Sequence, residues 1–130
     1  MSPPGKPPSL RALCTASIVL TADAPIALGR SPWRNRRVSD IAGGRFCGDR
    51  LSGHIRPSGA DWSEGGTNAA GASVTLIDVR SVWTTDDGAD IYVAYAGRLI
   101  VPPEVLSEFR DPAKVGQLSA DAYHFRILPT

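Results

Sequence analysis

The sequence predicts an all-β chain, a small antiparallel β-barrel with one short helix, and three observations carry that expectation. The 130 residues include 13 Gly and 11 Pro, a density of breakers that leaves little room for long helices. Apolar and polar side chains alternate with period 2 across residues 10–24, 73–95 and 122–128, the pattern of strands with one buried face. Asp87-Gly88 stands between two β-rich runs, where a tight hairpin turn is favoured. A chain of this length buries about 68% of its unfolded surface on folding, enough for one core without metals or disulfides.

Taken in order, residues 1–9 hold Pro3, Pro4, Pro7 and Pro8 and nothing to bury, so a disordered or polyproline-like tail is expected before a single barrel domain over 10–130. In 10–24, Leu10, Ala12, Cys14, Ala16, Ile18 and Leu20 fall on one side and Arg11, Thr15, Ser17 and Thr21 on the other. That alternation reads as a strand rather than a secretory signal. Pro25 and an Arg-rich loop then lead to short extended pieces at 37–41, 45–47 and 50–56, punctuated by Gly43-Gly44, Gly48 and Gly53; glycines within strands suggest bends and bulges. Residues 57–72, rich in glycine, read as a loop.

With Asp87 and Gly88 as a two-residue turn, facing residues sum to 175. Trp83/Tyr92, Ser81/Ala94 and Val79/Ala96 then share one surface, and Thr84/Ile91, Val82/Val93, Arg80/Tyr95 and Asp78/Gly97 the other. The second surface carries Asp78 and Arg80 among valines, which calls for a polar cavity, an ion-pair partner or water. Residues 103–110 read as the helix, with Pro103 at its start and Asp111-Pro112 ending it. Residues 122–128 return to a strand, with Tyr123, Phe125 and Ile127 on one side and His124 and Arg126 on the other.

The formal net charge is +1, but residues 30–56 hold seven arginines against Asp40 and Asp49 while the region after them is acidic. Opposite halves of one small domain are expected to pair with each other. The alternative, Trp33 stacking on a base among phosphate-binding arginines, is the weaker reading, and no nucleic-acid partner is expected. Cys14 and Cys47 match no Cys-x-x-Cys spacing, so two separate thiols in a reducing, cytoplasmic setting are expected, with a disulfide as the alternative. No run approaches the ~18 apolar residues of a membrane span. His54 and His124 lack metal-ligand spacing, Ser52, Ser58 and Ser63 lie in no Gly-x-Ser-x-Gly elbow, and the glycine pairs precede no helix. Neither a metal nor a cofactor is expected.

Four motifs follow one another in a distinctive order: Gly43-Gly44-Arg45-Phe46-x-Gly48-x-Arg50-Leu51-x-Gly53, Pro57-Ser58-Gly59-Ala60-Asp61-Trp62, Asp78-Val79-Arg80, and Thr85-Asp86-Asp87-Gly88-Ala89-x-Ile91-Tyr92-Val93. Over about residues 10–128 the chain resembles the family known as domain of unknown function 3237. That resemblance implies an antiparallel β-barrel with an interior pocket, and it implies no settled reaction. Three departures stand out. Ser58 occupies a place where the family tends to have glycine, and Ser81 one where an aromatic usually follows the arginine, which would enlarge or wet a pocket wall. Family members usually continue past a position like Pro129 into a further turn and strand; without it, completion of the sheet by a partner chain or an incomplete coding sequence is expected.

The likeness places Asp61, Trp62, Asp78 and Arg80 toward the lumen. In that reading Asp61 is a general base whose pKa an apolar lumen raises, and Arg80 anchors a carboxylate or an enolate-like oxygen. Tyr95, opposite Arg80, donates to the same anion, Trp62 supplies a flat wall, and Asp78, Tyr92 and Arg56 complete the ligand-binding set. The plain alternatives are a structural ion pair for Asp78 and Arg80 and an Asx cap for Asp61. The expected function is binding of a small anionic or aromatic organic molecule, with cofactor-free isomerase, cyclase or lyase chemistry by proton transfer. A non-catalytic carrier, or an interaction subunit pairing through an open sheet edge, are the alternatives, and a homo-oligomer is expected.

Overall fold

A computed structural model describes residues 4–30 and 34–130. The strands are β1 (Thr15–Leu20), β2 (Ile26–Arg30), β3 (Asn35–Cys47), β4 (Gly53–Ile55), β5 (Ala60–Thr67), β6 (Ser73–Thr85), β7 (Asp90–Val101) and β8 (His124–Pro129). A 3-10 turn at Pro103–Val105 runs into the short helix α1 (Leu106–Arg110), where 103–110 was expected to be helical. Every strand pair is antiparallel. β3 and β6 are joined twice, through β4 and through β5, so these four strands close into a barrel circuit. β1 and β2 pair along the free edge of β3, and β7 and β8 extend the sheet beyond β6.

Residues 4–9 are exposed and outside any strand; positions 1–3, and Trp33 with its neighbours Ser31 and Pro32, lie outside the described residues. The first strand begins later than its pattern suggests: Leu10 is fully exposed and pairing starts at Thr15. From Cys14 onward the predicted inner face holds, since Cys14, Ala16, Ile18 and Leu20 all line the interior cavity. Two of the pieces expected at 37–41 and 45–47 are one continuous strand, β3. The expected loop at 57–72 contains β5, whose glycines and polar residues carry little strand propensity of their own. β5 is extended because β3 and β6 supply ladders on both its sides, an override of local preference by context.

The hairpin register is a correction. Val79 faces Tyr95, Arg80 faces Ala94, Val82 faces Tyr92 and Trp83 faces Ile91, one residue away from the expected pairing. A two-residue type I′ turn needs positive φ at both central positions, and among the described residues none other than glycine has positive φ. The chain instead closes with the Gly88 N–H donating to Thr85 O at 2.9 Å and the Thr85 N–H to Ala89 O at 2.8 Å, with Gly88 at φ 91°. This is the three-residue loop with a left-handed glycine after a tight turn. One residue of slip changes which side chains of β7 share a face with those of β6: Ile77, Val79 and Trp83 line the interior together with Ile91, Val93 and Tyr95, while Asp78 and Arg80 are exposed.

The core gathers Ile41, Phe46, Ile55, Ile77, Val79, Val93 and Tyr95. Phe46 is 2% exposed and stacks on Trp83 with ring centroids 4.9 Å apart. Among the described residues, no helix is long and apolar enough to cross a membrane.

Candidate functional site

The concave side of the sheet encloses a cavity of about 760 Å³, within the ~300–1,000 Å³ range of small-molecule sites. Its walls come from β1 (Ala16, Ile18), β6 (Ile77, Val79, Trp83), β7 (Ile91, Val93, Tyr95) and β8 (Phe125, Ile127). Alternation on four strands therefore aims one apolar set at a common space. Phe125 and Ile127 belong to the face of the last strand that the sequence marks as apolar.

Asp61 is the one charged side chain among the described lining residues. Its position is set by the break between β4 and β5. Gly59, at φ 79°, lies so close to the next strand that a Cβ there would sit 1.9 Å from Arg80 O, and the Gly59 carbonyl accepts the Ile41 N–H at 3.1 Å. The chain then enters β5 with Asp61 opposite Ser39 on one side and Val79 on the other. Asp61 Oδ1 accepts the Asp78 backbone N–H at 3.2 Å. That bond crosses between strands, so the carboxylate does not cap its own loop. Burial pushes the Asp61 pKa up, against the lowering effects of the Asp78 N–H and the Arg37 guanidinium, while the Asp78 charge adds to the rise. Tyr95, 8% exposed and paired with Val79, has its phenol pKa raised by burial and by the Asp61 charge. A carboxyl group and a phenol thus feel each other inside apolar walls.

The remaining candidates lie elsewhere. Arg80 is exposed on the outer face and does not line the cavity, because it alternates along β6 with the buried Val79 and Ser81; it is not placed to anchor a ligand beside Asp61. Asp78 is exposed as well and touches the site through its backbone N–H alone. Among the described residues Asp78 and Arg80 form no ion pair with each other. Trp62 is 57% exposed, on the face opposite to its neighbour Asp61, and lines no part of the cavity. Tyr92 reaches the cavity while staying 65% exposed. Arg56 clamps the hairpin from outside, with Nε donating to Thr84 Oγ1 at 2.8 Å and Nη2 paired with Asp90 at 3.2 Å.

The wall that sequence reasoning missed is Trp83 with Ile77 and Val79. Its signal was present, since these residues form the uncharged face of β6, but it was assigned to the wrong side. The Trp83 indole N–H donates to Ser81 Oγ at 3.0 Å, so the serine at an expected aromatic position satisfies a neighbouring tryptophan. Ser58, the other departure, has a buried hydroxyl without a partner among the described residues. Cys14 lines the cavity, Cys47 is exposed, and both are free thiols.

A family profile described as "Protein of unknown function (DUF3237)" matches residues 8–130. The chain belongs to this family. Two curated relatives from Rhodopseudomonas palustris strains, both described as UPF0311 proteins, are 33% and 32% identical over 75 residues, which is 58% of this chain and 46% of each relative. The match thus spans about half the length of these curated relatives. Among solved structures, a conserved protein of unknown function from Rhodopseudomonas palustris aligns with TM-score 0.70 and 25% identity over 95% of this chain and 76% of the other. A protein with unknown function from Clostridium acetobutylicum aligns with TM-score 0.67 and 27% identity, covering 92% and 75%. A beta-barrel like protein from Acinetobacter baumannii aligns with TM-score 0.63 and 26% identity, covering 96% and 78%. This DUF3237 chain therefore shares its β-barrel architecture with several solved proteins, none of whose descriptions states an activity.

Proposed function

We propose that the protein binds an apolar, preferably aromatic, uncharged small molecule that carries one polar group, with that group on Asp61 and Tyr95. The observation that carries the reading is the 760 Å³ cavity whose described lining holds one charged side chain, an acid. With Arg80 outside, no cationic side chain is among the described lining residues, and Arg37, whose charge reaches Asp61, stands outside that lining. A carboxylate ligand would have to share desolvated space with a carboxyl group, which is unfavourable. A neutral guest offering a hydroxyl or amine to Asp61, or a carbonyl to Tyr95, satisfies the polar corner while filling the walls. Such groups fix orientation in a mostly hydrophobic site.

A thermal-shift comparison tests this with matched pairs, 2-naphthol against 2-naphthoate and benzyl alcohol against benzoate. At ~10 Kd a ligand stabilises by about 1.4 kcal/mol, several degrees in Tm for a domain of this size. The neutral members should raise Tm and the carboxylates should not. Ala16→Trp, which inserts a ring from the exposed end of the cavity wall, should abolish the shift. Equal stabilisation by both members of each pair, or an unchanged shift in Ala16→Trp, would refute the reading.

A second reading, proton transfer by Asp61 leading to isomerisation or elimination, is supported by the adjacency of a carboxyl of raised pKa and a buried phenol. It predicts conversion of a bound guest, seen by mass spectrometry, that Asp61→Asn stops while binding persists. Guests recovered unchanged from the wild type would leave carriage as the function.

A further inference from the structure

A second, smaller pocket shares no lining residue with the apolar cavity. Its volume is about 170 Å³ and it is bounded by Asn35, Arg37, Thr67, Ser73, Thr75 and Arg110 around Gly65 and Gly66. No acidic residue lines it, and among the described residues neither Arg37 nor Arg110 forms an ion pair. This contrasts with Arg34 and Arg36 nearby, which share Glu64 at 3.0 and 3.2 Å. We propose that this pocket binds a phosphate-type oxyanion, held between the Arg37 and Arg110 guanidiniums and the hydroxyls around them.

The geometry supports an anion in three ways. Arg37 is oriented in advance: its Nε donates to the buried Ser63 hydroxyl at 3.3 Å, which leaves its terminal nitrogens for a ligand. A guanidinium so held makes paired, charge-assisted hydrogen bonds to an oxyanion. Arg110 comes from the end of α1, a separate element, so two cations converge from different parts of the chain. Asp61, which feels the Arg37 charge, lies outside the pocket's lining, so an anion placed between the two guanidiniums relieves their mutual repulsion. The space is real: a Cβ on Gly65 would meet nothing nearer than Val74 O at 3.9 Å, and one on Gly66 nothing within 4 Å. A pocket well below the ~300 Å³ of drug-sized sites selects a small headgroup.

Calorimetric titration with inorganic phosphate, at ionic strength held constant with chloride, tests the site. Wild type should bind saturably, and Arg37→Gln and Arg110→Gln should each weaken binding about tenfold or more, as loss of a charge-assisted contact does. Gly65→Val, which keeps both charges and lies where glycine is not required by φ, should weaken it by filling the space. Arg34→Gln should leave it unchanged. Circular dichroism of each variant separates loss of binding from loss of fold. Phenyl phosphate in parallel identifies the source: equal affinity means the free ion, tighter binding means a phosphorylated organic molecule, and either supports the site. No saturation by about 20 mM phosphate, or an equal loss in Arg34→Gln, would overturn it.

Discussion

At the scale of single residues, Asp61 stands under opposing pressures. Burial favours its neutral form, while the Asp78 N–H and Arg37 favour the carboxylate, and burial wins, raising the pKa above the ordinary value of an aspartate. A carboxyl whose folded pKa exceeds its unfolded one holds a proton that the unfolded chain has already released. Stability from this group is therefore full below the unfolded pKa and declines as pH rises through the folded one. Asn keeps an oxygen to accept the Asp78 N–H and removes the charge. Asp61→Asn should melt above wild type at about pH 7, with the gap closing toward about pH 3; a variant that melts below wild type at about pH 7, with that gap closing toward about pH 3, would show the carboxylate to be favourably paired. The identity of this acid was legible in its place beside Trp62 in the second motif. Its surroundings were not, because the partner that matters, the Asp78 backbone, is brought to it by strand pairing between positions 17 apart.

At the scale of elements, the β6–β7 hairpin was legible in existence, position and sequence cue, and so were α1, the inner face of β1 from Cys14 on, and the inner face of β8. Its register was not, because Asp-Gly serves two turn geometries that differ by one residue, and the sequence cue is the same for both. The slip moves Tyr95 from the face of Arg80 to that of Val79, whereas the lumenal place expected for Arg80 rested on the family likeness, and Arg80 is exposed. The turn itself can be tested. Gly88 has φ 91°, and a Cβ there would meet nothing within 4 Å, so substitution carries a conformational cost alone. Gly88→Ala should lower stability by about 1–2 kcal/mol, and Gly88→Asn should recover part of it because Asn tolerates the left-handed region. Denaturant midpoints at unchanged slope measure both; no loss in Gly88→Ala would mean that the loop relaxes to another turn. β5 escaped notice for a different reason. Ala60–Thr67 has a strand's environment without a strand's composition, and only knowledge of its two neighbours could have shown that.

At the scale of the whole molecule, a hollow interior leaves a thin core. Phe46 and Val101 are the largest side chains that are fully buried, and Phe46 joins β3 to β4 and β6: its ring touches Trp83, and a Cβ on Gly53 would lie 2.8 Å from Phe46 Cζ. Truncating a buried phenylalanine costs about 3–5 kcal/mol, a large share of the ~5–15 kcal/mol that holds an ordinary domain. Phe46→Ala should therefore leave a partly unfolded population at room temperature, visible as lost near-ultraviolet dichroism and shifted tryptophan emission. A Tm within a few degrees of wild type would show that the load is carried elsewhere. The expected pairing of arginines with acids is met at Arg34, Arg36 and Arg56, and the Arg37 charge bears on Asp61 without a direct ion pair.

β1 and β8 stand at opposite ends of the strand path, and both contribute walls to the cavity. Among the described residues no ladder ties one to the other, so drawing them apart breaks no backbone bond. The lumen is bounded on that side by the springiness of a coiled ribbon instead of a rigid ring. If the proposed guest binds, flexing the ribbon gives it entry, and the breadth of shapes admitted depends on how stiffly the sheet recoils.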